Sequence, residues 1–293
     1  MTLPKPQILF VITGCLVSFL MMLLPEFSVT TQLFIVGLAI SLFGLPHGAV
    51  DAFIAKRTGL WRTPNGFSMF FSLYFGLAAF GILAWQIAPV IALAAFFILS
   101  AWHFGADFEP QSALERLTFG AMLLSLPAFF APDETQMLLE ALSGPGAAAV
   151  AAPLESAAVP LSVAVILITA HRAPSLGHAR KALMTIVGLL AFAWLMPPLI
   201  YFALYFCALH SARHFGAVLK LLPPDERLAA VLNAMGMTVL TLSFAVIFFV
   251  SLIDQISFEV TMTKIIFTGL AALTIPHMAL VDGIWHRHFG ARA

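Results

Sequence analysis

Charged side chains are scarce in this 293-residue sequence: Asp, Glu, Lys and Arg make up only 10% of it, against about 25% in soluble domains. The 14 basic and 14 acidic residues balance, so no basic field is available to hold a polyanion, and nucleic-acid binding is excluded. The two cysteines, Cys15 and Cys207, form no CxxC pair, which excludes a disulfide scaffold and a thiolate metal site. The sequence has no GxGxxG or GxxxxGK[ST] motif, and no nucleotide cofactor is expected.

Apolar residues are correspondingly abundant in the sequence. They make up 61% of the chain, and the mean hydropathy is +1.00, which indicates an integral membrane protein. Phenylalanine is in marked excess, with 28 Phe against 3 Tyr and 5 Trp, and there are 12 Met. The excess of Phe and Met requires an explanation beyond membrane insertion alone.

Ten stretches approach the roughly 20 apolar residues that a spanning helix requires. They are divided at their weakest points by Pro89 and by Met196-Pro197-Pro198. We therefore predict an all-α polytopic helical bundle of about ten spans, with eight or nine as alternatives, forming a single membrane domain over 1–293. Residues 132–156 are expected to form an extracytoplasmic loop with a short helix. The predicted spans are 7–24, 33–53, 67–86, 89–105, 117–131, 157–171, 182–196, 198–217, 229–253 and 264–284.

The basic residues predict the orientation of these spans. Lys and Arg favour the cytoplasmic side of a membrane, and with ten spans and a cytoplasmic N-terminus, 13 of the 14 fall on that side, Lys264 being the exception. We therefore expect both termini in the cytoplasm and location in the cell inner membrane.

Ionisable residues at membrane depth are functional candidates, because charge there is costly. Five of the nine histidines lie in the cytoplasmic halves of predicted even-numbered spans, where they could meet at one depth. The remaining four, His171, His178, His286 and His288, are interpreted as interfacial anchors. The five at membrane depth are His47, His103, His210, His214 and His277.

The spacing of these histidines favours a metal site. His210 and His214 are four residues apart, so on an α-helix they share a face and can bind one ion. His47 and His103 each precede an acid by four residues, Asp51 and Asp107. We expect each carboxylate to accept the second ring N–H of a ligating histidine and to offset the metal charge.

Imidazole ligation suits iron, copper, zinc or nickel, and haem with two axial histidines stays open. His277 could be a fifth ligand, a supporting donor or a cavity-lining residue, and the last two roles are favoured. Two other function classes are considered. A proton-coupled transporter would use the His and Asp residues as a relay, whereas another membrane metal oxygenase, such as a di-iron desaturase, would usually have HxxHH clusters, which this sequence lacks.

Four blocks of the sequence, GLPHGAVD, AWHFGADFE, LHSARHF and IPHMALVD, resemble those of the Brp/Blh family of integral-membrane beta-carotene 15,15'-dioxygenases. The resemblance runs from residue 44 to residue 282. It implies central cleavage of β-carotene by O2 to two retinal molecules, at an Fe(2+) ion in the cytoplasmic half of the membrane. It further implies hand-over of retinal to a rhodopsin. Carried over to this chain, the iron ligands and catalytic residues are His47, His103, His210 and His214.

A hydrocarbon substrate needs an apolar and aromatic pocket rather than a charged anchor, which gives the excess of Phe a role. The aromatic residues within about a turn of the proposed ligands are the candidates for lining that pocket. They are Trp102, Phe104, Tyr201, Tyr205, Phe206 and Phe215.

Overall fold

A computed structural model of the protein describes residues 5–24, 26–172 and 176–282. Within these ranges every regular element is helical, which confirms the predicted all-α fold. The predicted anchors His286 and His288 lie outside the described residues, as does the side chain of His178.

The helices are numbered in chain order. Two π-helical segments, Ile40–Gly44 and Tyr205–Ser211, and two short 3-10 turns, Ala106–Phe108 and Pro145–Ala147, lie between them. The α-helices are α1 Pro6–Leu23, α2 Val29–Ala39, α3 Leu45–Ala49, α4 Asp51–Arg57, α5 Pro64–Ile87, α6 Pro89–Gly105, α7 Ala113–Phe130, α8 Pro132–Ser143, α9 Ala148–His171, α10 Leu176–Leu195, α11 Pro198–Leu204, α12 Ala212–Leu221, α13 Pro224–Leu252 and α14 Phe258–Leu280.

Eight helical segments of the described chain are long and apolar enough to cross a bilayer. The protein is a multi-pass membrane protein, and this count equals the lowest of the predicted ones. Of the ten predicted spans, 182–196 is a short apolar helix, Ala182–Leu195. The stretch 198–217 is divided among α11, a π-helix and α12. The eight segments are Pro6–Leu23, Val29–Arg57, Pro64–Ile87, Pro89–Phe108, Ala113–Phe130, Pro145–His171, Pro224–Leu252 and Phe258–Leu280.

Proline sets the helix boundaries that the apolar runs alone leave ambiguous. Helices α6 and α11 begin at Pro89 and Pro198, so both predicted divisions are confirmed. Proline is favoured at the first helical position, where its missing N–H costs nothing. The predicted start of a span at residue 157 is wrong, since α9 already begins at Ala148. The alanine-rich run before residue 157 has high helix propensity, so 132–156 forms α8 and the first turns of α9.

The centre of the bundle is the stretch from Pro198 to Ser211, which comprises α11 and the second π-helix. Most of its side chains are buried, and Tyr205 is only 1% exposed. Helices α1, α2, α7 and α10 pack around it. A polar residue on this stretch, such as His210, is therefore largely buried.

Helices α6 and α7 approach each other closely at two glycines. A Cβ atom at Gly105 would lie 1.8 Å from the backbone oxygen of Arg116, and one at Gly120 would lie 1.8 Å from the backbone oxygen of Ala101. Small residues let the backbones of membrane helices come into contact. This contact fixes the end of α6, which carries His103, against α7.

Helix α13 is attached to the bundle mainly through its first half. Its buried residues are Ala230, Ala234 and Thr238, which share one face. The second half of the helix carries large exposed apolar residues, such as Phe244 and Phe248. The first half of α13 is thus packed against the rest of the bundle along one face.

Candidate metal centre

Five histidines meet at one end of the bundle. The ring centroids of adjacent pairs lie between 4.8 and 5.6 Å apart. The structure brings the four predicted ligands together and adds a fifth ring to them. The rings belong to His47 of α3, His103 of α6, His210 of the second π-helix, His214 of α12 and His277 of α14.

Both π-helical segments contribute to this cluster. His47 follows the segment Ile40–Gly44, and His210 lies within Tyr205–Ser211. π-Helical turns are rare and occur frequently at functional sites. His210 and His214 lie 5.2 and 5.6 Å from His47, measured between ring centroids. The two histidines of the HxxxH pair therefore face a common partner, although the first of them does not lie on a regular α-helix.

The tautomer of His47 is fixed by its hydrogen bonds. Its Nδ1 lies 2.5 Å from the backbone oxygen of Gly44 and 3.1 Å from Oγ of Ser211. Because a carbonyl oxygen can only accept, Nδ1 must carry the proton. Nε2 then keeps its lone pair, which is the form that binds a metal.

Asp51 holds the ring of His277. Both carboxylate oxygens lie 2.9 Å from Nδ1 of His277. The hydroxyl of Tyr74 donates to the same carboxylate at 2.9 Å. Asp51 is 2% exposed, so this Tyr–Asp–His unit is shielded from water.

Asp107 forms a second unit of the same composition. Its Oδ2 atom lies 2.9 Å from Nδ1 of His210 and accepts from the hydroxyl of Tyr205 at 2.7 Å. The guanidinium of Arg213 donates to the backbone oxygen of Asp107. The two units approach the histidine cluster from different helices.

The aspartates do not hold the histidines that precede them in sequence. We expected Asp51 to serve His47 and Asp107 to serve His103, and those pairings are wrong. The helix is interrupted within both pairs, since α3 gives way to α4 and α6 gives way to a 3-10 turn. Residues four apart share a face only on a continuous α-helix, so each carboxylate points to another chain segment instead.

Tyr74 and Ser211 were not identified from the sequence. A signal was available for the tyrosine, because the chain has only 3 Tyr beside 28 Phe. A tyrosine hydroxyl in an apolar bundle needs a partner, and Tyr74 and Tyr205 both find it in an aspartate of the site.

The histidine cluster offers imidazole nitrogens, a type of donor atom that binds metal ions. Nε2 of His210, Nε2 of His277 and Nδ1 of His103 are buried and make no hydrogen bond within the described residues. An unsatisfied buried nitrogen is costly, and a metal would provide the missing partner. In the parts of the chain that the structure describes, no three His, Cys, Asp or Glu side chains have their donor atoms arranged to share one ion. Binding would therefore require the rings to turn towards a common centre.

A cavity of about 1420 Å³ leads to this cluster through the bundle. It is lined by His47, His103, His210 and His277 at one end and reaches Lys264 at the other. The 13 residues that separate His277 from Lys264 on α14 correspond to about 20 Å at 1.5 Å per residue. The cavity is thus a long, largely apolar space with the histidines at its inner end.

Phe104 and Phe206, two of the six predicted lining residues, line this cavity. The Phe206 ring stacks on His210, with 5.8 Å between the centroids, and meets the edge of His47 at 5.3 Å. Phe104 packs edge-on against His210 at 4.9 Å. These two rings separate the histidine cluster from the apolar core.

The other four predicted lining residues lie elsewhere. Trp102 packs against the guanidinium of Arg116 at 4.3 Å, and Tyr201 donates to a backbone oxygen of α7 at 3.2 Å. Tyr205 is engaged by its aspartate, and Phe215 packs into the apolar cluster around α3 and α4. Sequence proximity to a ligand does not specify the face of the helix, which explains these errors.

We infer from the residues that line it that the cavity opens sideways between α2 and α13. Its lining includes Phe34 and Leu38 of α2 and Phe244 and Phe248 of α13. All four side chains are exposed, Leu38 by 63%. In a membrane these residues face lipid, so a molecule dissolved in the bilayer has a direct route to the histidines.

The comparison with protein families decides how this site is classified. A family model described as "Beta-carotene 15,15'-dioxygenase" matches residues 38–285. The chain belongs to this family. The match includes all five clustered histidines and both aspartates, and it confirms the family and the carotenoid-cleaving dioxygenase class that the four sequence blocks imply.

Two relatives give the family match more detail. The chain is 30% identical over 266 residues to "Beta-carotene 15,15'-dioxygenase" of the uncultured marine bacterium 66A03, an alignment covering 84% of this chain and 91% of the relative. It is 25% identical over 277 residues to "Probable beta-carotene 15,15'-dioxygenase Blh" of Halobacterium salinarum (strain ATCC 700922 / JCM 11081 / NRC-1), covering 82% and 80%. No solved structure matches significantly.

Proposed function

We propose that this protein cleaves β-carotene at its central double bond with dioxygen, giving two molecules of retinal. We propose further that the reaction occurs at Fe(2+) bound by His47, His103, His210 and His214. The observation that carries the proposal is a buried cluster of imidazoles at the inner end of an apolar cavity, in a chain of this family. The names of both relatives support the choice of substrate.

The residues of the cluster are compatible with iron. Imidazole is a suitable ligand for it, and the unpartnered nitrogens of His103 and His210 are available. When bound, ferrous iron supplies the one-electron chemistry that lets dioxygen react with a closed-shell alkene. Both oxygen atoms end in the two aldehydes and the alkene supplies the electrons, so the reaction needs no nucleotide reductant.

The residues around the cluster position the rings and balance charge. Asp107 keeps the Nδ1 proton on His210, so that Nε2 presents its lone pair. Asp51 and Asp107 together carry two negative charges, which offset the two positive charges of a ferrous ion. This matters because an uncompensated charge inside a bilayer is unfavourable.

The cavity provides space without a charged anchor for one half of a long hydrocarbon. Its apolar walls hold the polyene by shape, and its length places one half of the molecule along α14 when the central bond lies at the histidines. Phe104 and Phe206 flank that position, where aromatic faces stabilise a developing positive charge. The same rings exclude water from the reacting bond.

Expression in carotene-producing cells tests the reaction. We expect the orange pigment to disappear and retinal to accumulate, with two molecules of retinal for each β-carotene consumed, because cleavage at the central bond gives two identical products. Pigment extraction with mass spectrometry measures both. Persistent colour without retinal would refute the reaction, whereas a longer or shorter aldehyde would keep the enzyme class and change the bond that is cleaved.

We also propose that the site lies in the cytoplasmic half of the inner membrane. The support is the distribution of Lys and Arg, of which only Lys264 falls on the opposite side. The surrounding lipid would supply β-carotene through the opening between α2 and α13. Retinal would return to the lipid by the same route, from which a rhodopsin can take it.

Cysteine labelling in intact cells checks this orientation. In a Cys15→Ser background, we expect a membrane-impermeant maleimide to label Asp254→Cys and not Arg62→Cys. Both positions are exposed, and they lie on opposite sides in the proposed topology. Labelling of Arg62→Cys alone would invert the orientation, and permeabilised cells provide the control in which both positions react.

A further inference from the structure

We propose that His277 is a metal ligand, so that the centre has five imidazoles rather than four. The inference rests on the proposed metal centre but not on the substrate. Its starting point is position: the His277 ring lies 5.2 Å from His47, 5.3 Å from His103 and 5.1 Å from His214, between centroids. These separations fall within the range of 4.8 to 5.6 Å found between the four proposed ligands themselves.

The orientation of the ring supports the same role. Nδ1 of His277 bonds to both oxygens of Asp51, so Nε2 is the atom that is left for the cluster. Nε2 is buried and makes no hydrogen bond within the described part of the chain. His210 has the same arrangement, with Nδ1 on Asp107 and Nε2 unpartnered. What qualifies His210 as a ligand therefore qualifies His277.

The alternative is that His277 donates from Nε2 to another ligand. A neutral ring could do so only if Nδ1 were deprotonated and faced the Asp51 carboxylate with its lone pair. Nδ1 and the two carboxylate oxygens of Asp51 would then be three acceptors in close contact, which is repulsive. A doubly protonated ring would avoid this contact but would put a cation beside the dication, in a site that is shielded from water. The neutral tautomer with its lone pair on Nε2 satisfies both constraints.

The surroundings of Asp51 agree with the assignment of a neutral His277 ring. The carboxylate is 2% exposed, and its partners are the neutral donors His277 and Tyr74. Buried carboxylates usually require a nearby positive charge. A metal ion bound to His277 supplies that charge one ring away, just as an ion bound to His210 does for Asp107.

A fifth ligand changes what the centre can accept. A fifth imidazole would leave fewer positions on the bound ion for an external molecule than four would. His277, Asp51 and Tyr74 all line the cavity, whereas Asp107 and Tyr205 lie behind the cluster. The ring of His277 therefore restricts access to the metal centre from the cavity, which is the side from which a substrate approaches.

Cobalt(II) substitution tests this proposal without relying on activity. The purified protein is stripped with chelator and titrated with Co(II), and both the affinity and the visible spectrum are recorded. We expect His277→Ala to weaken binding by more than about 100-fold, since loss of a supporting residue alone costs 10–100-fold. The spectrum should change in shape, and added imidazole should restore it.

Matched variants separate the outcomes. Asp51→Asn and Tyr74→Phe keep the packing and are expected to weaken Co(II) binding in parallel with Asp107→Asn and Tyr205→Phe. If His277→Ala and Asp51→Asn both keep the wild-type affinity and spectrum while His210→Ala loses them, the fifth ligand is rejected and the four-histidine centre stands. If His210→Ala also behaves as wild type, the metal centre itself is rejected. Should His277→Ala fail to fold, the result for Asp51→Asn decides.

Discussion

Replacing His210 or His214 by alanine is expected to abolish iron binding and retinal formation together. Each ring belongs to the cluster around His47, and His210→Ala also leaves Asp107 buried without its ring partner. We expect at least a ~100-fold loss of iron affinity, more than the loss of a supporting residue produces. Iron content after anaerobic purification and retinal yield in carotene-producing cells measure the two effects.

His171→Ala is the matched control for these variants. His171 is an exposed histidine at the end of α9, away from the cluster, and its replacement should leave iron content and retinal yield unchanged. The proposed centre would be wrong if all three variants kept the same iron content. Loss of retinal with full retention of iron in His210→Ala would instead place this residue in catalysis without metal binding.

Adding a single methyl group to Gly105 or Gly120 should have a comparably large effect on folding. The new Cβ would lie 1.8 Å from a backbone oxygen of the neighbouring helix in each case, and a backbone cannot rotate out of the way as a side chain can. Overpacking of this kind costs typically 1–3 kcal/mol and sometimes more. Helices α6 and α7 would have to separate, which would also displace His103. We expect aggregation or a markedly lower melting temperature in detergent for both variants.

Gly76→Ala and Gly236→Ala make the same chemical change where there is room for it. A Cβ at either position meets no atom within 4 Å, and both glycines lie inside long helices, where alanine is favoured by up to about 1 kcal/mol. These variants should be as stable as the wild type or slightly more stable. If Gly105→Ala melts at the same temperature as Gly76→Ala, the close contact between α6 and α7 is not required for the fold.

Much of this architecture follows from local sequence signals. Apolar length identifies the long helices, and Pro89 and Pro198 place the divisions between them, because each signal acts on its own stretch of chain. The grouping of His47, His103, His210 and His214 could also be anticipated from their common depth. The structure adds that the ring of His277, which shares this depth, is in contact with those of His47, His103 and His214.

What could not be predicted depends on how the helices are rotated against each other. Asp51 lies four residues after His47 yet bonds to His277, which is 226 residues further along the chain. The π-helical turns change the direction of the side chains that follow, and no simple pattern in the sequence marks them. Tyr74 lies on a separate helix, so its role in the site becomes evident only when α5 is packed against α4 and α14.

The sideways opening between α2 and α13 determines which concentration the protein responds to. For a substrate that enters from lipid, the relevant concentration is its mole fraction in the membrane and not its molarity in water. Adding inert lipid or detergent at constant total β-carotene would therefore slow turnover by dilution in two dimensions. Cells could likewise set the rate through the carotene content of the bilayer, and rates from different preparations are comparable only at equal surface composition.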